Sequence, residues 1–350
     1  MPREEAYLGS TNAMKISLLI PCYNEEKTLH ASIQSWLLQT RRPDQILVID
    51  DSSTDNSSRI LASYAPYIET RRTPQNLGNK SYAQEYGMQF VTGDIFISTD
   101  ADTKLDPNFV KYVEECFADE TVTAVAGYVK SIRYNWLTAC RALDYVIAQN
   151  LDKMAQYALG FMFVIPGAAG AFRTDTFKRL IGFDHDTLTE DLDFTYKLNK
   201  YNLKIVYDRR AVSYTQDPSG LGSYINQMRR WYAGGWQNLL KHFGLPEKPG
   251  MGLTLSLSYS EGLIFSSLQL ILPFINIVYA MTFLVSYAIF GLILATYASL
   301  KEKRLDFFGA LPGYIVLRYV NAWLFIEQFI MEVIFKRKNL NWYKPDRVTM

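Results

Sequence analysis

The sequence is poor in cysteine and histidine. Three cysteines (Cys22, Cys116, Cys140) and three histidines (His30, His185, His242) are scattered over 350 residues. That is too few, at the wrong spacing, for a disulfide framework or a zinc cluster. Neither sign of charge dominates: 36 Lys and Arg face 35 Asp and Glu, for a net charge of +1. A dedicated nucleic-acid binder would carry a basic excess. No G-x-G-x-x-G follows a strand pattern and no G-x-x-x-x-G-K-[ST] occurs. This argues against a dinucleotide dehydrogenase and a P-loop nucleotidase. Any bound diphosphate would have to be neutralised by metal and basic side chains. Met1 to Met14 includes Arg3, Glu4 and Glu5 but no apolar core of a signal peptide, so residues 1–14 read as a lead-in.

Apolar residues are plentiful, at 49% of the chain, which excludes intrinsic disorder. The mean hydropathy of -0.06 averages two unlike parts. Gly252 to Leu300 contains one charged residue, Glu261. A membrane crossing takes about 20 apolar residues, so this stretch is long enough for two, with Pro273 to Asn276 as the connection. Leu305 to Phe335 is also apolar but carries Asp306, Arg318, Glu327 and Glu332. It either spans, with its charges facing a bundle interior, or lies in the interface as an amphipathic helix. The expected organisation is a soluble domain over 15–222, an interfacial segment over 223–251, a membrane region over 252–335 and a basic tail over 336–350. Placing the soluble domain in the cytoplasm returns Lys301–Arg304 to the positive-inside face after two crossings.

The soluble part alternates strands and helices. Ile16–Ile20, Ile46–Ile49, Ile68–Arg71 and Asp94–Ser98 read as strands, the first two as short apolar runs that suit buried positions. Helical spacing covers 26–39, 58–64 and 81–90. This order predicts an α/β fold with a mostly parallel sheet, right-handed crossovers and helices on both faces. Asp50-Asp51 and Asp100-Ala-Asp102 then stand at carboxyl ends of strands, where open parallel sheets bind ligands. Such acids can accept hydrogen bonds from a ribose or base. An Asp-x-Asp can also hold a hard divalent cation. Alternatively, each acid merely caps the helix that follows it.

Two clusters lie downstream. Thr189-Glu190-Asp191-Leu192-Asp193 opens a helix. Its acids either complement the helix dipole or supply a general base. In Gln227-Met-Arg-Arg230-Trp231, helical spacing puts Gln227, Arg230 and Trp231 on one face. Ile225, Met228, Tyr232, Trp236, Leu239 and Phe243 fall on the opposite, apolar face, suited to a core or a bilayer surface. The polar face suits a diphosphate and a stacked sugar ring, or a snorkelling Arg–Trp pair.

Taken in order, Pro21-Cys-Tyr-Asn-Glu25, Asp50-Asp-Ser-Ser-Thr-Asp55, Asp100-Ala-Asp102, Thr189-Glu-Asp191 and Gln227-Met-Arg-Arg-Trp231 resemble the family 2 glycosyltransferases with a GT-A fold. The subgroup is the one marked by D, D, D and Q-x-x-R-W, which includes membrane polysaccharide synthases. The likeness covers about residues 15–240. Asn76-Leu-Gly78 with Lys80 is similar to the family's N-x-G-K region, with the lysine displaced by one residue. Trp342-Tyr-Lys-Pro345-Asp-Arg347 is loosely similar to the ends of such synthases.

The resemblance implies that Tyr23, Glu25 and Asp51 hold the base and ribose of a nucleotide sugar, with Pro21 shaping the floor. Asp100 would contact the nucleotide, and Asp102, with Asp100, would ligate Mg²⁺ or Mn²⁺. Asp191 would be the catalytic base beside Glu190. Gln227 and Arg230 would bind the diphosphate, Trp231 would stack on the acceptor, and Gly167–Gly170 with Phe172 and Arg173 would shape the acceptor pocket. The implied reaction is inverting transfer from a UDP-sugar to a hydroxyl, giving a β-glycoside. The implied setting is the plasma membrane, with the catalytic domain cytoplasmic. The expected partners are the donor, a glycan or lipid-linked acceptor and membrane lipids, with a second copy or an export partner for polymer release and no nucleic acid. Three readings stand: extension of a polysaccharide or oligosaccharide, addition of one sugar to a lipid such as a polyprenyl phosphate, and a non-catalytic nucleotide-sugar-binding subunit.

Overall fold

The computed structural model describes residues 14–180, 182–243, 247–338, 340 and 343–349. The expected lead-in and Trp342 therefore lie outside the described residues, apart from Met14. The predicted strands form as β1 (Ile16–Cys22), β2 (Gln45–Asp50), β3 (Glu69–Arg72) and β4 (Ile95–Ser98). The helices between them are α1 (Leu29–Leu37), α2 (Ser57–Ser63) and α3 (Lys80–Met88). β3, β2, β1 and β4 lie side by side and all run parallel. Every residue of β1 except Pro21 is buried, as a strand covered on both faces should be.

The sheet has eight strands, ordered β3-β2-β1-β4-β7-β6-β8-β5, and its second half is mixed. It comprises β5 (Lys104–Leu105), β6 (Val122–Ser131), β7 (Gly170–Arg173) and β8 (Lys204–Thr215). β6 and β8 are parallel to each other, and β5 is antiparallel to β8. β7 runs antiparallel to both β4 and β6. Ser98 at the end of β4 pairs with Gly170 at the start of β7. The residues that enter β7 therefore meet those that leave β4, and the Thr99 hydroxyl donates to the Ala168 carbonyl at 3.4 Å.

Both faces are covered. α1 and α4 (Phe109–Phe117) pack Leu29, Ile33, Trp36, Val113 and Phe117 on one side. On the other, α3, α7 (Thr174–Arg179) and α8 (Glu190–Lys200) close over Phe96, Phe172, Phe177, Phe183 and Phe194. The Phe194 ring lies 4.8 Å from Phe177 and 5.4 Å from Phe172. Phe172 and Arg173 are therefore not pocket residues. Phe172 belongs to this cluster, and Arg173 donates to the carbonyls of Val122 and Phe117.

A second layer is built from α5 (Trp136–Ile147), a π-turn at Ala148–Asp152, α6 (Lys153–Ala158) and α9 (Leu221–Lys241). α10 (Pro249–Ile275) and α11 (Ile277–Glu302) follow, broken at Asn276 just past Pro273. Among the described residues, these two helices are long and apolar enough to cross a membrane, and most of their surface is exposed. α12 (Leu311–Phe329) occupies the third apolar stretch. Two of its polar side chains turn towards α9: Glu327 pairs with Arg229 at 2.9 Å, and Asn321 accepts from the Tyr224 hydroxyl at 2.8 Å. The apolar face of α9 meets protein. Trp236 packs 5.1 Å from Phe325 of α12 and 4.7 Å from Tyr259 of α10. Phe243, beyond the helix end, is 75% exposed.

Phe194→Ala empties the centre of the aromatic cluster. It should destabilise the domain by about 3–5 kcal/mol, read as a lowered melting temperature of the detergent-solubilised chain.

Candidate active site

The carboxyl ends of β1, β2 and β4 open on one edge of the sheet, and there lies a cavity of about 800 Å³. Pro21, Tyr23, Glu25, Asp51, Asp100, Asp102, Glu190, Asp191, Gln227, Arg230 and Trp231 all line it. All the residues singled out for catalysis, donor binding and metal thus reach one space, although they lie as far apart as 21 and 231 in the chain. Asp193 does not join them. It is fully buried and binds His242 at 2.7 Å and Lys241 at 3.0 Å, fastening α8 to α9.

The loops after β1 and β2 hold each other. Asn24, in the left-handed region at φ 54°, accepts from the Thr54 amide at 2.7 Å, and the Glu25 amide donates to Ser57 at 2.7 Å. Asp51 accepts from Thr73 at 2.9 Å and from the Leu77 amide at 3.0 Å. Burial, outweighing these bonds, raises its pKa. Asp50 faces away from the cavity and pairs with Arg72 at 2.5 Å.

Lys80 sits at the centre of the site. Its ammonium contacts Asp100 and lies 3.7 Å from Glu190. Burial pulls its pKa down, but these two carboxylates outweigh burial and keep it raised. The one-residue displacement from the family pattern therefore does not remove the lysine from the site. Burial also raises Glu190, with Lys80 opposing. Asp191 accepts from the Gly167 amide at 3.2 Å. A Cβ on Gly167 would stand 2.7 Å from the Lys80 nitrogen, so glycine here leaves room for the ammonium, while Asp191 Oδ2 at 3.6 Å would be in ordinary contact. The Gln227 Oε1 is buried without a hydrogen-bond partner among the described residues. Arg230 reaches the Leu188 carbonyl at 3.5 Å.

Several lining residues were not singled out as site residues from the sequence. Arg141 is held by Asp217 at 3.2 Å and Asp144 at 3.1 Å, and its guanidinium lies 5.3 Å from the Trp231 ring centre. Lys153 is buried, with its ammonium on the Val164 carbonyl at 3.0 Å, and burial brings it down to about 7. Lys344 and Arg347 come from the far end of the chain: Lys344 pairs with Glu25 at 3.0 Å and Arg347 with Asp102 at 2.5 Å. Burial, then Asp102, push Glu25 up to about 7 against the pull of Lys344. Arg141 and Lys153 have no local motif to reveal them. The Lys344–Arg347 segment did carry one, in its likeness to synthase ends.

Among the described residues, no group of three or more His, Cys, Asp or Glu side chains could hold a metal by itself. Asp100 and Asp102 still fit a Mg²⁺- or Mn²⁺-type ion, which commonly takes one or two carboxylates and completes its shell with phosphate and water.

This sheet, with acids at its parallel strand ends and one antiparallel strand inserted beside them, is the GT-A glycosyltransferase fold. The mannosyltransferase PcManGT from Pyrobaculum calidifontis, solved in complex with GDP-Man and Mn²⁺, shares it. The TM-score is 0.63 over 93% of this chain and 89% of that one, at 18% identity. Residues 17–179 match the family model Glycosyl transferase family 2. The poly-beta-1,6-N-acetyl-D-glucosamine synthase of Staphylococcus epidermidis is 26% identical over 231 residues, covering 65% of this chain and 56% of that one. The hyaluronan synthase of Streptococcus pyogenes is 26% identical over 245 residues, covering 65% and 58%. The chain thus spans little more than half the length of these curated relatives.

Gly167→Ala should leave the melting temperature nearly unchanged, because the end of the Lys80 side chain can move aside. The displaced ammonium would lower sugar transfer by up to about 10²-fold, measured with labelled donor. Lys153 has a folded pKa below its unfolded value, so the unfolded chain binds more protons between the two. Stability should rise as pH climbs from about 7 towards about 10. Lys153→Met should flatten that part of a pH–melting curve.

Proposed function

We propose that the chain is a membrane-held, metal-dependent, inverting glycosyltransferase. It would move a sugar from a nucleotide sugar, UDP-linked by family resemblance, to an acceptor hydroxyl and form a β-glycosidic bond that extends a polysaccharide or oligosaccharide. The observation that carries this reading is the meeting of Asp100 and Asp102, Glu190 and Asp191, and Gln227, Arg230 and Trp231 on one cavity. The relatedness to two polysaccharide synthases supports chain extension.

Asp191 acts as the base. Its carboxylate is oriented by the Gly167 amide and takes the proton from the attacking hydroxyl, an effect typically worth about 10²–10⁴-fold. The hydroxyl approaches the anomeric carbon opposite the leaving diphosphate, so the centre inverts. Arg230 and Gln227 bind the diphosphate, and the guanidinium opposes the charge that develops as it leaves. Trp231, braced by Arg141, gives the acceptor sugar a flat face. Tyr23, Glu25 and Asp51 hold the nucleoside on the floor that Pro21 forms. Asp102, with Asp100, would hold Mg²⁺ or Mn²⁺, which when bound supplies Lewis-acid stabilisation of the diphosphate. Lys80 keeps Asp100 and Glu190 from repelling each other. The apolar helices α10 and α11 anchor the catalytic domain at the cytoplasmic face of the plasma membrane. Export of a polymer would draw on further membrane helices, for example from a second copy or another membrane protein, beside α10 and α11.

The exposed apolar surface of α10 and α11, which would present a lipid, also favours a second reading, transfer of one sugar to a lipid acceptor. Product size separates the two. Detergent-purified protein, Mg²⁺ or Mn²⁺, membrane lipid extract and labelled UDP- and GDP-sugars should give a ladder or a high-mass product. A single labelled species that partitions into organic solvent would replace chain extension with lipid glycosylation. Asp191→Asn should lower transfer by about 10²–10⁴-fold while donor binding persists. Unchanged transfer by this variant would remove Asp191 as the base.

A further inference from the structure

Residues 343–349 lie across the catalytic cavity, where Pro345 is buried and the other anchors are polar contacts. The Arg347 Nε and Nη2 both reach Asp102 Oδ2 at 2.5 Å. The ammonium of Lys344 lies 3.0 Å from Glu25 Oε1 and also contacts the backbone carbonyls of Tyr23 and Asn24. Gln216 clamps Val348 through both backbone groups, donating to its carbonyl at 2.8 Å and accepting from its amide at 3.0 Å. The Asp346 amide donates to Ser223 at 3.1 Å. The Val348 side chain remains 38% exposed.

We propose that this segment is a strap that competes with the divalent cation: Arg347 on Asp102 and a metal ion on Asp102 exclude each other, so loading the metal releases the strap. The inference rests on the reading of Asp102 as a metal ligand. Its chemistry is that of one carboxylate with two claimants. Asp102 Oδ2 accepts two charge-assisted hydrogen bonds, and Oδ1 has the Thr103 hydroxyl at 3.3 Å. A metal on Oδ2 needs the lone pairs that Arg347 now uses. It would also bring positive charge against a buried guanidinium. The Nη1 of Arg347 is itself buried without a partner among the described residues, so the docked strap keeps an unsatisfied donor inside the cavity. Hydrogen bonds of this kind exchange for water at modest net cost. The strap can therefore leave by giving up these polar contacts and the burial of one proline, Pro345.

The expected signature is a metal site whose affinity is lowered by its own chain. When only the undocked fraction binds metal, apparent affinity falls by that fraction. Mn²⁺ binding to the full detergent-purified chain, read from the EPR signal of free Mn²⁺ without nucleotide, tests this directly. Arg347→Gln should bind Mn²⁺ at least about tenfold more tightly than the unaltered chain. Gln216→Leu loosens the strap at Val348 and leaves Asp102 and Arg347 in place, so it should shift affinity the same way. Unchanged or weaker binding in both variants would overturn the proposal. Asp102→Asn should lose the site. If it kept full Mn²⁺ affinity, the metal reading of Asp102 would fail and the strap proposal with it. If it lost Mn²⁺ while the other two variants bound as before, only the strap proposal would fail. A nitroxide on Thr349→Cys, in a Cys116→Ser background with Cys22 and Cys140 buried, should sharpen when diamagnetic Mg²⁺ is added. A spectrum that Mg²⁺ leaves unchanged would count against release.

Discussion

Among the described residues, eight acidic side chains line one cavity, and two of them, Asp100 and Glu190, are held together there by one buried ammonium. Like charges at short range, partly removed from water, repel one another and would drive the loops apart. The counterweight is Lys80. It is buried between Asp100 and Glu190, and it comes from the first turn of α3 rather than from either acidic loop. The strand end after β4 and the start of α8 are thus joined through one ammonium. Gly167 leaves it room, and that residue is placed by the antiparallel entry of β7 beside β4. A local ion pair therefore rests on a decision about strand direction made in the sheet.

That decision was the part hardest to read from sequence. β1, β2 and β4 announce themselves as apolar runs ending in Pro or Asp, and the structure follows them closely. β7 is only four residues long, Gly170–Arg173. Its direction is set by pairing on both sides, which periodicity does not encode. Phe172 and Arg173 were expected in the acceptor pocket because they adjoin Gly167–Gly170. Strand alternation instead buries Phe172 in the aromatic cluster, while Arg173 caps backbone carbonyls.

The candidate site was more legible than the fold, because its groups are chemically unusual where they stand. Acids at strand ends and an amide, a guanidinium and an indole on one helical face mark themselves. Arg141 does not: an arginine in an amphipathic helix looks like a surface residue until Asp144, Asp217 and Trp231 surround it. Lys344 and Arg347 stood in a segment similar to synthase ends, but that likeness assigned them no partner. Their partners, Glu25 and Asp102, lie more than 240 residues earlier, a separation that local reading does not bridge.

α9 connects two environments. One face carries Gln227 and Trp231 into the cavity; the other is pinned to α12 through Arg229–Glu327 and Tyr224–Asn321 and packs Trp236 against α10 and α12. Apolar helices answer a bilayer thicker or thinner than themselves by changing tilt. A tilt of α10 that carries α12 with it would act on α9 as on a lever and turn the Trp231 indole relative to Asp191. On the proposed reading, the lipid thickness around the protein would then tune the geometry between Trp231 and Asp191.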